Sequence, residues 1–248
     1  MSKRVAFVTG GNGGIGSAIC RELAAEGHVV VAGYFPPEKE SAEAWQKQMQ
    51  EQGSTIALCA LDVADFADCE RAVAQITEEF GSVDILVNCA GITRDGTLKK
   101  MPEANWKAVI ATNLDSAFNV TRHVINGMLD KGWGRIINIA SVNGQRGQFG
   151  QANYSAAKAG MHGFTMAVAL ETAAKGITVN TVSPGYIATA MTEAMPEDVL
   201  KSIVNSVPMR RMGKPEEIAN AVAWLASEGN GYTTGANIPV NGGLFTSH

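Results

Sequence analysis

An α/β fold, a doubly wound parallel β-sheet with helices on both faces, is what this 248-residue chain predicts. Three observations carry that prediction. Short β-branched runs alternate with longer segments of helical apolar spacing, a glycine cluster follows the first run directly, and polar residues recur where the runs end.

The runs at 5–9, 29–32, 55–61, 83–88, 135–140 and 177–183 read as strands, and 15–26 and 38–52 read as the helices that follow the first two. Ile85, Leu86 and Val87, like Ile136, Ile137 and Ile139, form nearly continuous apolar runs, as expected where helices cover both faces of a sheet. Ligands of such sheets bind beyond the C-terminal ends of the strands. The residues there are the glycines after Thr9, Asp62 after the third run, 88–91 after the fourth, Ser141 after the fifth, and Pro184 with Gly185 after the sixth. No Pro/Ser/Gly-rich linker or internal repeat divides the chain, so 1–248 is expected to form one domain.

Composition narrows the function classes. With 46% hydrophobic and 18% charged residues the chain can build a sizeable core. A formal net charge of −4 and no block of Lys/Arg argue against nucleic acid or an anionic membrane surface, leaving a small-molecule partner. The 4 cysteines form no C-x-x-C pair and the 4 histidines have no ligand spacing, so no metal site is expected and the thiols are read as reduced. No apolar stretch reaches the roughly 18 residues of a membrane span, and the N-terminal apolar run is too short for a signal-peptide core. A cytoplasmic location follows as the expectation.

Gly10, Gly11, Asn12, Gly13, Gly14, Ile15 and Gly16 join the first strand to the first helix. Glycines let the backbone turn sharply and approach a pyrophosphate without an intervening Cβ, and the helix then offers unpaired N–H groups to the anion. In this context the pattern reads as a dinucleotide loop. The second strand ends in Ala32, Gly33, Tyr34, Phe35, Pro36 and Pro37, without the acid that usually binds the adenosine ribose and without an Arg for a 2′-phosphate. Lys39 is flanked by Glu38 and Glu40, which would repel a phosphate dianion. NADH is therefore favoured, with NADPH possible.

Tyr154 and Lys158, at i and i+4 on a helical stretch, share one face. The ammonium is expected to lower the pKa of the phenol and ease proton exchange, while Ser141 can donate a hydrogen bond to an oxygen that becomes negative. With Thr9-x-x-x-x-Gly14-Ile15-Gly16 and Gly10, Asn88-Cys89-Ala90-Gly91, Asn113, Ser141, Tyr154 with Lys158, and Pro184-Gly185-Tyr186-Ile187-x-Thr189, the chain resembles the classical short-chain dehydrogenase/reductase family over essentially its whole length.

That resemblance implies a Rossmann fold, a nicotinamide cofactor and a ketone/alcohol pair as substrate and product. It makes Tyr154 the general acid, Ser141 the group that orients the carbonyl, and Lys158 a ligand of the nicotinamide ribose. Asn113 would hold a water that refills the proton relay. Tyr34, Asp62 and Val63 would border the adenosine, Asn88, Ala90 and Gly91 would support the sheet and cofactor, and Pro184, Gly185, Ile187 and Thr189 would line the nicotinamide. Cys89 departs from the family pattern, since many relatives carry a second Asn there. A homotetramer is implied, with 237–245 near a subunit interface.

The segments 91–95, 141–154 and 183–189 are similar to those of the reductases that act on acetoacetyl-CoA, an acyl-CoA substrate that yields (R)-3-hydroxybutyryl-CoA for polyhydroxybutyrate synthesis. By this resemblance Gln148, Phe149, Gln151 and Tyr186 surround the acyl chain in a small dry pocket, next to Ser141, Tyr154 and Gly185. Asp95 and Lys100 lie near the pantetheine entrance. The plainer reading makes Gln148 and Gln151 solvated loop residues. A rival reading is a 3-oxoacyl-[acyl-carrier-protein] reductase, with a basic docking patch near Lys131, Arg135 and Lys175; another is an inactive dinucleotide-sensing regulator. The segment 188–211, with Met191, Met195 and Met209, reads as a substrate lid.

Overall fold

The computed structural model describes residues 3–189, 192 and 196–246. Its strands are β1 (Val5–Thr9), β2 (Val29–Tyr34), β3 (Ile56–Ala60), β4 (Ile85–Asn88), β5 (Gly134–Ile139), β6 (Ile177–Pro184) and β7 (Asn237–Val240). They form one sheet in the order β3-β2-β1-β4-β5-β6-β7, every pairing parallel. The order reverses between β1 and β4, which opens a crevice beyond their C-terminal ends. The doubly wound Rossmann architecture is thus observed.

Side chains alternate along each strand and feed two apolar layers. Ala6, Val8, Ile85, Val87, Ile137 and Ile139 face α1 (Gly14–Ala25) and the C-terminal helix described below, whereas Phe7, Leu86, Ile136 and Val179 face the helices of the other side. Those are α3 (Phe66–Phe80), α5 (Ser116–Lys131) and α7 (Ala152–Thr172), entered after α2 (Lys39–Glu51), α4 (Glu103–Ile110) and α6 (Val142–Arg146) in chain order. α8 (Glu197–Ser206) and α9 (Pro215–Ala226) follow, and α9 packs Ile218, Val222 and Leu225 on the first layer. α3 starts where Asp65 accepts hydrogen bonds from the Ala67 and Asp68 N–H groups. Between α4 and α5 one π-helical turn, Ala111–Asp115, carries Asn113.

β7 is a strand that the sequence reading did not anticipate. Pro239 breaks its pattern, but β7 pairs only with β6, and an edge position tolerates a residue with no N–H. No helix among the described residues is long and apolar enough to cross a membrane.

The N-terminal end of the sheet is closed by charge. Trp133 lies between two guanidinium groups, Arg4 at 3.9 Å and Arg135 at 4.4 Å from its ring centre. Lys131 reaches Asp84 at 2.7 Å, and Asp84 also accepts from the Val5 N–H at 2.9 Å. Arg135 is buried and donates to the carbonyls of Gly134, Gly176 and Ser227. Lys131 and Arg135 hold the base of the sheet together, and with Lys175, in the turn just before β6, they lie at the end opposite Ser141.

Candidate active site

The loop between β1 and α1 is built to leave room for an anion. A Cβ on Gly11 would lie 2.7 Å from Ala32 Cβ, and one on Gly16 only 2.2 Å from the Gly10 carbonyl oxygen, so both positions require glycine. α1 is preceded by Gly13, which offers no side-chain cap, and has no acid in its first turn, leaving its first N–H groups open to a negatively charged ligand. Thr9 Oγ1 accepts from the N–H groups of Cys89 and Ala90 at 3.0 and 3.1 Å, tying the end of β4 to the loop. These features fit a dinucleotide pyrophosphate.

The remaining cofactor residues are distributed around this crevice. Tyr34 is buried at the end of β2, and Ile187 is buried after β6. Asp62 is fixed by its N–H to Asp68 at 2.7 Å, and its carboxylate accepts from the Ala64 N–H. The Val63 carbonyl is held by Asn119 at 3.0 Å. Gly14 faces the Thr189 side chain so closely that a Cβ would lie 2.7 Å from it, which brings Thr189 over the glycine loop. Pro184 pairs with Val240, and a Cβ on Gly185 would meet Asn241 at 2.8 Å. Asn12 Nδ2 donates to Glu38 at 3.4 Å, which turns the Glu38 carboxylate back towards the loop.

Asn88 takes a structural place. It donates to Asn138 at 2.8 Å and to Thr121 at 3.3 Å, and Asn138 continues the chain to Thr165 and Thr181, each step 2.8 Å. This buried polar chain links β4, β5, β6 and α7 behind the crevice. Asn138, Thr165 and Thr181 went unnoticed in the sequence because each reads as a polar interruption in an apolar element.

Three chemical groups meet over the crevice. Ser141 leaves β5 in an extended conformation and caps α6, its Oγ accepting from the Asn143 N–H at 3.1 Å, which leaves the hydroxyl proton available. Tyr154 is in the first turn of α7, and Lys158, one turn on, places its Nζ 5.8 Å from the Tyr154 ring centre. Lys158 is buried and donates to the Ile139 carbonyl at 2.8 Å, and burial lowers its pKa to about 8. Burial also pushes the Tyr154 phenol above its ordinary value, while its hydrogen bond with the Ser141 hydroxyl pulls it back. The expected lowering by Lys158 is therefore overturned here: desolvation is the larger effect.

Asn113 is buried beside this group. Its side chain both accepts from the Ile92 N–H and donates to the Ile92 carbonyl, each at 2.8 Å, so it fixes the loop after β4. A Cβ on Gly91 would lie 3.3 Å from Asn113 Oδ1 and 3.6 Å from Lys158 Nζ, which places Gly91 beside both side chains.

On the substrate side, Gln151 accepts from Asn143 and donates to Asp95, both at 2.9 Å, so it is pinned in place. Gly96 N–H donates to the Gly150 carbonyl at 2.8 Å, joining the loop after β4 to the loop before α7. Gln148 and Lys100 are exposed, and Phe149 is 86% exposed, so Phe149 forms no dry pocket with Tyr186. Tyr186 instead helps line a cavity of about 320 Å³ with Val207, Met209 and Pro239. In the expected lid, α8 buries no residue completely, and Met191 and Met195 lie outside the described residues.

Two positioning residues were missed. A Cβ on Gly144 would lie 2.7 Å from the Lys158 carbonyl carbon, so glycine lets α6, and with it Ser141, dock on α7. Asn153 is fully buried, donates to the Arg94 carbonyl at 3.0 Å, and accepts from the Tyr154 N–H at 2.8 Å. A glycine inside a short helical run was the available signal for the first. The cysteines are free, with Cys20, Cys59 and Cys69 buried; burial pushes Cys59 and Cys89 up to about 11 and Cys69 to about 12.

The family model described as Enoyl-(Acyl carrier protein) reductase matches residues 10–245. The chain is 63% identical to the acetoacetyl-CoA reductase of Allochromatium vinosum over 98% of both chains, and 56% identical to that of Cupriavidus necator over 98% of this chain and 99% of the other. It is 45% identical to the 3-oxoacyl-[acyl-carrier-protein] reductase of Haemophilus influenzae over the whole of both. With these matches and a nicotinamide-dinucleotide crevice beneath Ser141, Tyr154 and Lys158, the chain belongs to the short-chain dehydrogenase/reductase family.

Proposed function

We propose that the chain reduces acetoacetyl-CoA to (R)-3-hydroxybutyryl-CoA, a step of polyhydroxybutyrate synthesis, with NADH as the preferred cofactor. The observation that carries this reading is the meeting of a serine hydroxyl, a phenol and a buried ammonium at the crevice, beside a Gln151 pinned by Asn143 and Asp95. Relatives named acetoacetyl-CoA reductase at 63% and 56% identity support the substrate.

A reduced nicotinamide, when bound, supplies the hydride that adds to the carbonyl carbon. Ser141 donates a hydrogen bond to the carbonyl oxygen and fixes its position. Tyr154, kept protonated by burial, gives its proton to that oxygen as negative charge develops. The Lys158 ammonium offsets the charge left on the phenolate and offers its remaining N–H groups to the cofactor ribose. Asn113, by holding Ile92, keeps the loop beside Lys158 in place, and a water at this point refills the relay. Gln148 and Tyr186 close on the acyl chain when 196–211 folds over it as a lid; equal hydrogen-exchange protection of 196–211 with and without ligands would refute that closure. The enzyme acts as a cytoplasmic homotetramer of single-domain subunits.

The preference for NADH rests on Glu38. Turned towards the glycine loop by Asn12, its carboxylate suits a ribose hydroxyl and repels a 2′-phosphate. Steady-state reduction of acetoacetyl-CoA with NADH and NADPH side by side, followed by chiral analysis of the product, tests substrate, cofactor and stereochemistry together. Faster turnover of an acyl-carrier thioester would favour the carrier-protein reductase. Cofactor binding without oxidation by any small 3-oxoacyl thioester would favour a dinucleotide-sensing regulator.

A further inference from the structure

The two loops joined by the Gly96 to Gly150 hydrogen bond form a continuous rim beside the catalytic group. One lip carries Arg94, Lys99 and Lys100, and the other carries Arg146 at the end of α6. All four are exposed. Lys99, Lys100 and Arg146 make no hydrogen bond or ion pair with the described residues, and Arg94 donates only to its neighbour, the Thr93 carbonyl. Asp95, the acid on the same lip, is bound to Gln151. Some exposed cations elsewhere are ion-paired, Lys107 with Glu103, Lys201 with Glu197 and Arg211 with Glu217, all at 2.6 to 2.7 Å, so what sets the rim apart is four unpaired cations on two joined loops beside the catalytic group. Two large apolar side chains stand among the unpaired cations, Leu98 at 75% and Phe149 at 86% exposure.

We infer that this rim binds the phosphorylated adenosine end of the coenzyme A thioester, with Arg94, Lys99 and Arg146 taking its phosphates alongside Lys100 and Phe149 offering an aromatic face to the adenine. The inference rests on the proposed acyl-CoA substrate. It follows from charge complementarity: the 3′-phosphate and pyrophosphate concentrate several negative charges in one small ligand, and four rim cations without carboxylate partners among the described residues match them. A nucleotide is favoured over an acidic carrier protein because Lys131 and Arg135, at the opposite end of the sheet, are committed to Asp84, Trp133 and backbone carbonyls.

The test compares acetoacetyl-CoA with the acetoacetyl thioester of pantetheine, which has the same reacting end and no nucleotide. In the variant Arg94→Ala/Lys99→Ala/Arg146→Ala, kcat/KM for acetoacetyl-CoA should fall at least tenfold, mainly through KM, and lose most of its dependence on ionic strength, with the loss confined to the nucleotide-bearing substrate. An unchanged kcat/KM for acetoacetyl-CoA, or an equal fall for both thioesters, would overturn the inference. So would a larger fall for an acyl-carrier thioester, which would assign the rim to the carrier protein. If neither small thioester turns over, the reading of the reaction has failed; calorimetric binding of free coenzyme A, weakened at least tenfold in the variant, still supports the rim, and unaltered or absent binding overturns it.

Discussion

At the N-terminal ends of the strands, Asp84 meets Lys131 at 2.7 Å and Trp133 is clasped between Arg4 and Arg135. At the C-terminal ends, Lys158 is buried with only the Ile139 carbonyl and the Met161 sulfur as hydrogen-bond partners among the described residues, and burial lowers its pKa to about 8. The same sheet thus carries charge in two ways. At its base Asp84 is matched by Lys131 and Arg135 is held by carbonyls and the Trp133 ring, whereas above it an ammonium is kept underpaired, where it costs folding energy and is available for chemistry.

That contrast can be broken most sharply at the phenol. Tyr154→Phe removes the transferable proton and little else, so kcat should fall about 10³-fold or more while the Kd for the dinucleotide, measured by fluorescence titration, stays within about twofold. Near-normal turnover would unseat Tyr154 as the acid. Gly144→Ala forces α6 away from the Lys158 backbone and shifts Ser141, and a fall of about 10- to 100-fold in kcat is expected with a folded protein by circular dichroism.

The pH dependence sharpens the comparison at the next level. Reduction needs a proton on Tyr154 and a charge on Lys158. Burial holds Tyr154 above its ordinary value, so Lys158 loses its proton first, and kcat/KM for reduction should fall as pH rises through about 8, approaching tenfold per pH unit. Lys158→Arg, whose guanidinium does not titrate in this range, should remove that limb even if its rate is lower. The smallest effect on activity is expected at the base: Asp84→Asn should leave kcat within about twofold yet lower stability by about 1–3 kcal/mol, read as a few degrees in Tm.

The strands β1 to β6, the glycine loop and the alignment of Tyr154 with Lys158 were legible because they depend on local period and turn chemistry. What escaped depends on contacts between distant segments. β7 was hidden by Pro239, and only its place at the sheet edge makes that residue acceptable. The Glu38 carboxylate was weighed for its charge, but its turn towards Asn12, 26 residues earlier, is tertiary. Burial, which sets Tyr154 against the expected effect of Lys158, cannot be read from the spacing of the pair. Arg135 did carry a usable signal, since a residue opening a strand that ends beside Ser141 must lie at the far side of the sheet.

Phe149 and Gln151 stand two positions apart, one almost fully exposed and the other bonded on both sides. A library of variants at 149 can therefore explore bulk and polarity with little burden on folding, whereas changes at 151 disturb neighbours that orient the serine arm. Adaptation to thioester carriers other than coenzyme A has an accessible starting point at the tip of this loop, and directed evolution is best begun there.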